Sequence, residues 1–201
     1  MKKSVSILST VVAVVLFTGC SSEPTPQSAK QAEIEKVAAA LKNAPEWISE
    51  PIIENGIGAI GIARYSSGGM SFMLPQAELD GKAKLAGRIQ EEVSRLQQQS
   101  KRLVQTKDLD AFDNNFKEAT EILVKKMPLS GAKRVKTYMS EETGELYVLM
   151  AIQKRDVADA LDGQKELLRA QMEEAKMTRE AIDEGMEIHD KTMAELREAT
   201  K

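Results

Sequence analysis

The one cysteine of this 201-residue chain, Cys20, stands where its thiol could accept a lipid. Two lysines at the start are followed by an apolar run over residues 5–17 and then by small residues that end with Gly19. This order is typical of a secretory signal peptide with its cleavage site. Because the apolar run is shorter than the ~20 residues that cross a bilayer core, we predict a cleaved signal, residues 1–19, and not a membrane span.

The five residues that end at this thiol, Leu16-Phe-Thr-Gly-Cys20, resemble the lipobox of bacterial lipoproteins. In a lipobox, signal peptidase II cleaves between the residues that match Gly19 and Cys20, and acyl chains are added to the cysteine. The resemblance implies that Cys20 holds the protein on a membrane, since several acyl chains give stable anchoring. Ser21 follows in place of aspartate, which by the sorting rule of enteric bacteria implies the outer membrane. The alternative is an ordinary signal peptide followed by a chance cysteine.

The composition argues against a surface that binds nucleic acid. The chain has 28 basic and 31 acidic residues, a formal net charge of −3 at pH 7, and removal of the signal makes this charge more negative. Nucleic-acid binding requires a concentrated basic face. With Cys20 acylated, no thiol is left for a disulfide, so the folded domain depends on its core.

The sequence contains no recognisable arrangement of catalytic side chains. His189 is the only histidine, and no second histidine or free thiol accompanies it to build a metal site or a nucleophile–base pair. We therefore predict no enzyme, no cofactor and no metal, and we interpret His189 as a packing residue. The alternative, an enzyme acting on envelope polymers, would need two carboxylates from separate segments in one cleft. The pairs Glu141-Glu142 and Glu173-Glu174 are instead typical of a solvated turn and a helix surface.

The start of the mature chain predicts a tether and then a helix. Residues 20–30 are rich in Ser, Pro and Gln, which is typical of an extended tether. The spacing of Ile34, Val37 and Leu41 predicts a helix that ends before the following proline. We interpret Trp47, the only tryptophan, as an anchor at the edge of the core, and contact with a partner or a peptidoglycan sugar is the alternative.

The glycine-rich segment 56–65 predicts a strand and not a nucleotide-binding loop. Gly56, Gly58 and Gly61 fit the spacing G-x-G-x-x-G. That fingerprint requires a strand, a turn and then a helix, whereas here the apolar run continues past the glycines and a Ser-Gly loop follows. Isoleucines alternate with small residues in this strand, and the face of small residues allows a helix to approach closely.

Two helices and a hairpin are predicted to follow. Pro75 opens a long helix, and a second amphipathic helix covers residues 110–126. Residues 132–139 alternate as in a half-exposed antiparallel strand, residues 140–144 form a turn, and the apolar run 145–152 predicts a strand at the centre of the sheet. The expected core positions of the two helices are Leu79, Ala83, Ala86, Ile89, Val93, Leu96, Leu103, Phe112, Phe116, Ala119 and Leu123.

The last part of the chain predicts one long helix over residues 155–201. This segment has no proline, and a series of mostly apolar residues recurs every seven positions, which forms a narrow seam. The seam favours packing against a partner helix, in a homo-oligomer or on another envelope protein, and folding back across the domain is the alternative. The residues of the seam are Leu161, Leu168, Ala175, Ile182, His189 and Leu196.

The fold class predicted from these elements is α+β, with a long helix packed across a small antiparallel sheet. The order is strand-helix-helix-strand-strand over residues 31–154, followed by the long C-terminal helix. Four pieces in this order resemble the LPP-twenty lipoprotein family, which includes outer-membrane antigens and FlgP-like flagellar basal-disk lipoproteins. These pieces are Pro45-Glu46-Trp47-Ile48, residues 57–63, the helix around Ala83, Ala86 and Arg88, and residues 143–149.

The resemblance implies a lipoprotein without enzymatic activity. Its role would be structural, or an interaction within the cell envelope, with the domain facing the periplasm or the cell surface. The long seam adds the expectation of self-association. The alternatives are a periplasmic ligand-binding lipoprotein and a component of the flagellar basal disk.

Overall fold

The computed structural model describes residues 26–101 and 109–198. The predicted signal peptide, Gly19 and Cys20 lie outside these residues. The described residues form the helices and strands α1 Pro26–Asn43, α2 Glu46–Ser49, β1 Gly56–Ala63, α3 Met70–Lys101, α4 Leu109–Lys126, β2 Lys133–Met139, β3 Leu146–Gln153, α5 Lys154–Asp162, α6 Lys165–Glu174 and α7 Arg179–Glu198. A boundary between two compact units falls after Glu35, within α1, and the described residues from Lys36 onward belong to one unit.

The three strands form an antiparallel sheet in the order β1-β3-β2. The apolar strand β3 lies in the centre and is almost entirely buried, as the run of apolar residues predicts. A turn with Gly144 in the left-handed region (φ 68°) joins β2 to β3. The predicted α+β class and the order strand-helix-helix-strand-strand are confirmed.

Helix α3 packs on the small-residue face of β1. Ala59, Gly61 and Ala63 are buried beneath it, as predicted. The contact is so close that a methyl group on Gly61 would lie 1.9 Å from the carbonyl oxygen of Ala77 and 2.5 Å from the backbone nitrogen of Gly81. The strand continues through Gly61, so the three glycines serve close packing and not a phosphate loop.

The core face of α3 differs from the predicted one in its first half. The helix begins at Met70, and Pro75 lies inside it, where it removes one early backbone hydrogen bond. Leu79 is 70% exposed and Ala83 is also exposed, because close approach to β1 selects small residues for this face. The predicted positions Ile89, Val93 and Leu96 are buried, and Leu103 lies outside the described residues. The buried residues of the helix are Met73, Ala77, Gly81, Leu85, Ile89, Val93, Leu96, Gln97 and Ser100.

The prediction for α4 is confirmed, whereas that for β2 is wrong in part. Phe112, Phe116, Ala119 and Leu123 of α4 are buried. In β2 neither face is buried, and Val135 is half-exposed like its charged neighbours. The reason is its place at the sheet edge, beyond the two strands, β1 and β3, that α3 covers.

A long C-terminal helix is present as α7, but the predicted continuous helix over residues 155–201 is wrong. Three helices occupy this segment. Lys176 adopts a left-handed conformation (φ 56°), and the Met177 N–H bonds to the Met172 carbonyl, which ends α6 in a Schellman-type turn. The hydroxyl of Thr178 then accepts the Ala181 N–H at 3.2 Å and caps the start of α7.

The breaks let the seam fold back within the chain. Helix α7 packs against α5 and α3, and α6 packs against α4. Ala175 is the exposed member of the seam. The chain therefore supplies the cover that the pattern assigned to a partner helix, and the alternative of folding back describes the arrangement. The buried seam residues are Leu161, Leu168, Ile182, His189 and Leu196.

The N-terminal helix begins inside the predicted tether. Helix α1 starts at Pro26, a residue favoured at the first helical position, so the tether prediction is wrong from there to residue 30. The predicted apolar row of Ile34, Val37 and Leu41 is exposed, whereas Ala40 is buried. In the described part of the chain, none of the helices has the length and apolar character needed to span a membrane.

Candidate functional site

The residues predicted to act lie apart from one another. Gly19 and Cys20 lie outside the described residues. Trp47 is half-buried in α2, which packs against β3. His189 is buried in α7, on a different element. The described surface that combines open backbone, apolar side chains and charge is the free edge of β1.

Strand β1 has only one partner strand, so alternate residues direct their backbone groups away from the sheet. Two of these groups are met by side chains of α3. The Ile62 N–H donates to Asp80 Oδ2 at 2.8 Å, and Arg88 Nη1 donates to the Gly58 carbonyl at 3.1 Å. Ile60 lies between them and shares their orientation, so its N–H and C=O face the same edge.

A groove follows this edge. It consists of two adjoining cavities of 640 Å³ and 480 Å³, which share Pro51, Arg88 and Glu91 as lining residues. The larger cavity lies beside Ile60 and Ile62, and the smaller one lies beside the start of β1. We call these two cavities together the β1 groove.

The two walls of the β1 groove differ in character. Leu41, Ile48 and Pro51 form an apolar wall, in which Leu41 is about half-exposed. The opposite wall is the outer side of α3 and carries charges of both signs. These charged residues are Lys84, Arg88, Glu91, Glu92 and Arg95. The groove therefore suits a ligand with an apolar side, a polar side and backbone groups in between.

Glu92 is fixed in its ionised form at one end of the groove. Arg95 donates to it at 2.9 Å and Lys154 at 2.8 Å. The hydrogen bond from Arg95, supported by that from Lys154, lowers the pKa of Glu92 to about 2. The same bond to Glu92 raises the pKa of Arg95. A carboxylate of this kind is unsuited to donate a proton at neutral pH, so Glu92 does not fit the role of a general acid.

Arg88 is the cation that the groove leaves to a ligand. Among the described residues its one recorded bond is to the Gly58 carbonyl, and no carboxylate pairs with it. A guanidinium presents five N–H donors, of which this contact uses one. Arg88 can therefore receive a carboxylate or carbonyl of a bound segment beside the open backbone of Ile60.

Tyr147 lines the larger cavity and acts as a fixed hydrogen-bonding group. Its hydroxyl donates to Glu145 Oε2 at 2.7 Å. Burial raises the pKa of Tyr147 to about 12, and the bond to Glu145 acts in the same direction. The phenol is therefore neutral at physiological pH.

The two carboxylate pairs of the sequence analysis, Glu141-Glu142 and Glu173-Glu174, do not line the groove. Glu142 lies in the hairpin turn, and the hydrogen bond from the Asn43 amide, 2.7 Å away, lowers the pKa of Glu142. Glu173 and Glu174 are exposed at the end of α6. The placement of these pairs agrees with the interpretation as turn and helix-surface residues.

Sequence reasoning did not predict the groove because its walls come from separate segments. One signal was present: charged residues recur at Asp80, Lys84, Arg88 and Glu91 on one side of α3, at helical spacing.

No protein-family model matches the chain, and no curated protein shows significant sequence similarity to it.

Proposed function

We propose that this protein is a lipid-anchored protein of the bacterial cell envelope that works by docking a partner and not by catalysis. In this proposal Cys20 carries the acyl chains, and the β1 groove holds an extended segment of an envelope protein. The single observation that carries the docking role is the open edge of β1 at Ile60, between the backbone contacts of Asp80 and Arg88.

The edge supports docking because an added strand would pair with the outward-facing N–H and C=O of Ile60. Addition of an extended segment to a sheet edge derives affinity from main-chain hydrogen bonds and specificity from side-chain pockets. Leu41 and Ile48 offer apolar contacts on one side of the groove, and Arg88 offers a charge on the other. We therefore propose a partner segment that alternates apolar residues with acidic or amide residues.

The anchoring part of the proposal rests on the lipobox-like residues before Cys20 and on the resemblance to the LPP-twenty family. Ser21 after the cysteine and the family resemblance both favour the outer membrane, with the domain in the periplasm or at the surface. The self-association expected from the C-terminal seam has lost its original support, because the seam is covered within the chain. A second copy of the chain is the alternative occupant of the groove.

The anchor is tested by metabolic labelling with palmitate in a bacterial host. We expect label in the wild-type protein and none in Cys20→Ala, which should also leave the membrane fraction. Absence of label from the wild type, or membrane fractionation that Cys20→Ala does not change, contradicts the anchor.

The docking role is tested by photo-crosslinking in intact cells. A probe at Ser49, on the exposed rim of the groove, should capture a discrete partner, whereas the same probe at exposed Glu173 should not. Arg88→Ala should weaken the Ser49 crosslink, and Lys126→Ala, an exposed control, should leave it unchanged. Equal capture from both probe positions contradicts the groove as the docking site.

A small-molecule carrier is the second candidate, and the size of the groove favours it. Cavities of ~300–1,000 Å³ are typical of ligand sites, and the larger cavity here has 640 Å³. Native mass spectrometry of the protein purified from its envelope separates the two functions. A retained small molecule supports the carrier, and a bare chain supports docking.

A further inference from the structure

A side-chain cluster joins the end of α5 to α7, away from the β1 groove. Asp162 is the last residue of α5, and His189 and Asp190 are adjacent in α7. One possible metal-ligand atom from each of the three lies within 4.8 Å of the other two. The shortest separation that is recorded, from His189 Nε2 to Asp162 Oδ1, is 3.5 Å.

His189 is the unusual member of this cluster. Its side chain is 1% exposed, and neither ring nitrogen has a hydrogen-bond partner among the described residues. Buried polar groups in proteins are nearly always hydrogen-bonded, because an unsatisfied group carries the full cost of its desolvation. The Nε2 atom faces the Asp162 carboxylate at a distance too long for a normal hydrogen bond.

We propose that Asp162, His189 and Asp190 form a binding site for a borderline divalent cation of the Zn²⁺ class. One imidazole nitrogen and two carboxylate oxygens suit such ions, which take three protein ligands and leave a further position for water. Tetrahedral bonds of about 2.0–2.1 Å place ligand atoms roughly 3.4 Å apart. His189 and Asp162 already have this separation, and the side chain of Asp190, about half-exposed, can turn to complete the site.

The two cations beside the cluster have different roles in the proposed site. Arg197 pairs with Asp162 Oδ2 and with Asp159, so it orients the Asp162 carboxylate and leaves Oδ1 for the metal ion, as an outer partner of a ligand does. Lys165 places its ammonium 2.5 Å from Asp190 Oδ1. Lys165 therefore competes with the metal ion for Asp190, and it moves to solvent when the ion binds.

Calorimetric titration with ZnCl₂ tests the site. The sample for this titration is the full chain with Cys20→Ala, which removes the only thiol, and without a polyhistidine tag. We expect one ion per chain. His189→Gln and Asp190→Asn should each weaken binding by at least ~10-fold, and Asp183→Asn, an exposed acid on the same helix, should bind like the unsubstituted protein. Asp190 is exposed enough that Asp190→Asn keeps the test valid if His189→Gln fails to fold.

Lys165→Gln provides the sharper measurement. Removal of the competing ammonium should strengthen zinc binding by up to about fivefold, the value of an exposed ion pair, whereas a merely structural ion pair predicts no gain. Absence of stoichiometric binding, or binding that Asp190→Asn and Lys165→Gln both leave unchanged, overturns the proposal.

Discussion

The two halves of helix α3 pack in opposite ways. The first half meets β1 through backbone and small residues, with Gly61 of the strand directly below Gly81 of the helix. The second half meets α4 and α7 and buries polar side chains, among them Gln97 and Ser100. The first contact requires small residues that let the two backbones approach each other. The second contact requires hydrogen bonds between buried polar side chains.

Two groups of buried hydrogen bonds make up the polar contact in the second half of α3. Gln97 Nε2 donates to Thr120 Oγ1 at 2.9 Å, and Thr120 Oγ1 donates to the Phe116 carbonyl at 2.9 Å. Thr192 Oγ1 donates to the Ile188 carbonyl at 2.8 Å and lies 3.4 Å from Ser100 Oγ. A larger side chain should therefore destabilise the protein when it is placed in the first contact. In the second contact, loss of a hydrogen-bond partner should destabilise it.

The largest effect is expected from Gly61→Ala. The added methyl group would overlap the Ala77 carbonyl. Because a backbone atom cannot move aside as the end of a flexible side chain can, we expect a loss of about 3 kcal/mol or more in the free energy of unfolding. Urea denaturation of the Cys20→Ala form measures it. Stability within 1 kcal/mol of the parent would mean that the helix and strand are farther apart than described.

A smaller loss, about 1–2 kcal/mol, is expected from Thr120→Val. This change leaves the buried Gln97 amide without its acceptor, and an unsatisfied buried donor is costly. The double variant Gln97→Leu/Thr120→Val should recover most of the loss, because no polar group is then left unpaired. A double variant less stable than Thr120→Val alone would show that size, and not hydrogen bonding, governs this half.

Gly87→Ala is the matched control for Gly61→Ala and should stabilise the protein. Gly87 lies in α3 beside the groove, and a methyl group there meets nothing within 4 Å. Alanine in a helix interior is favoured over glycine by about 0.5–1 kcal/mol. Thermal unfolding measures the gain, and a decrease in Tm would place an unrecognised contact at this position.

The smallest effect concerns Glu92, on the charged side of α3. Its pKa is lowered from 4.5 to about 2, so its contribution to stability is present above pH 4.5 and is lost as the pH falls toward 2. Because the ion pair is partly solvated, we expect Glu92→Gln to cost a few tenths of a kcal/mol at pH 7. The difference from the parent should shrink between pH 4.5 and 3 in denaturation curves, and a constant difference would contradict the role of this charge.

Local patterns in the sequence were sufficient to predict the sheet and its small-residue face. The alternation in β1 and the apolar run of β3 each depend on residues within one segment. The sequence was therefore enough to predict both strands. The core face of α3 was not, because Leu79 is apolar yet exposed, and the preference for glycine and alanine arises only from how near β1 lies.

The C-terminal segment and the groove required tertiary information. Lys176 and Thr178 end one helix and begin the next, but neither Lys nor a single Thr marks a break as clearly as Gly or Pro does. The β1 groove and the cluster at His189 combine residues that are far apart in the chain. The proximity of Asp162 to His189, for example, follows from the packing of α5 on α7.

The exposed strand β2 affects how two copies of this chain can meet. An uncovered strand invites another copy to extend the sheet, and natural proteins counter this with charge at the edge. Lys133 and Lys136 of β2 are both exposed, so two copies that met side by side would bring like charges together. Repulsion between these lysines therefore disfavours pairing of two copies through β2.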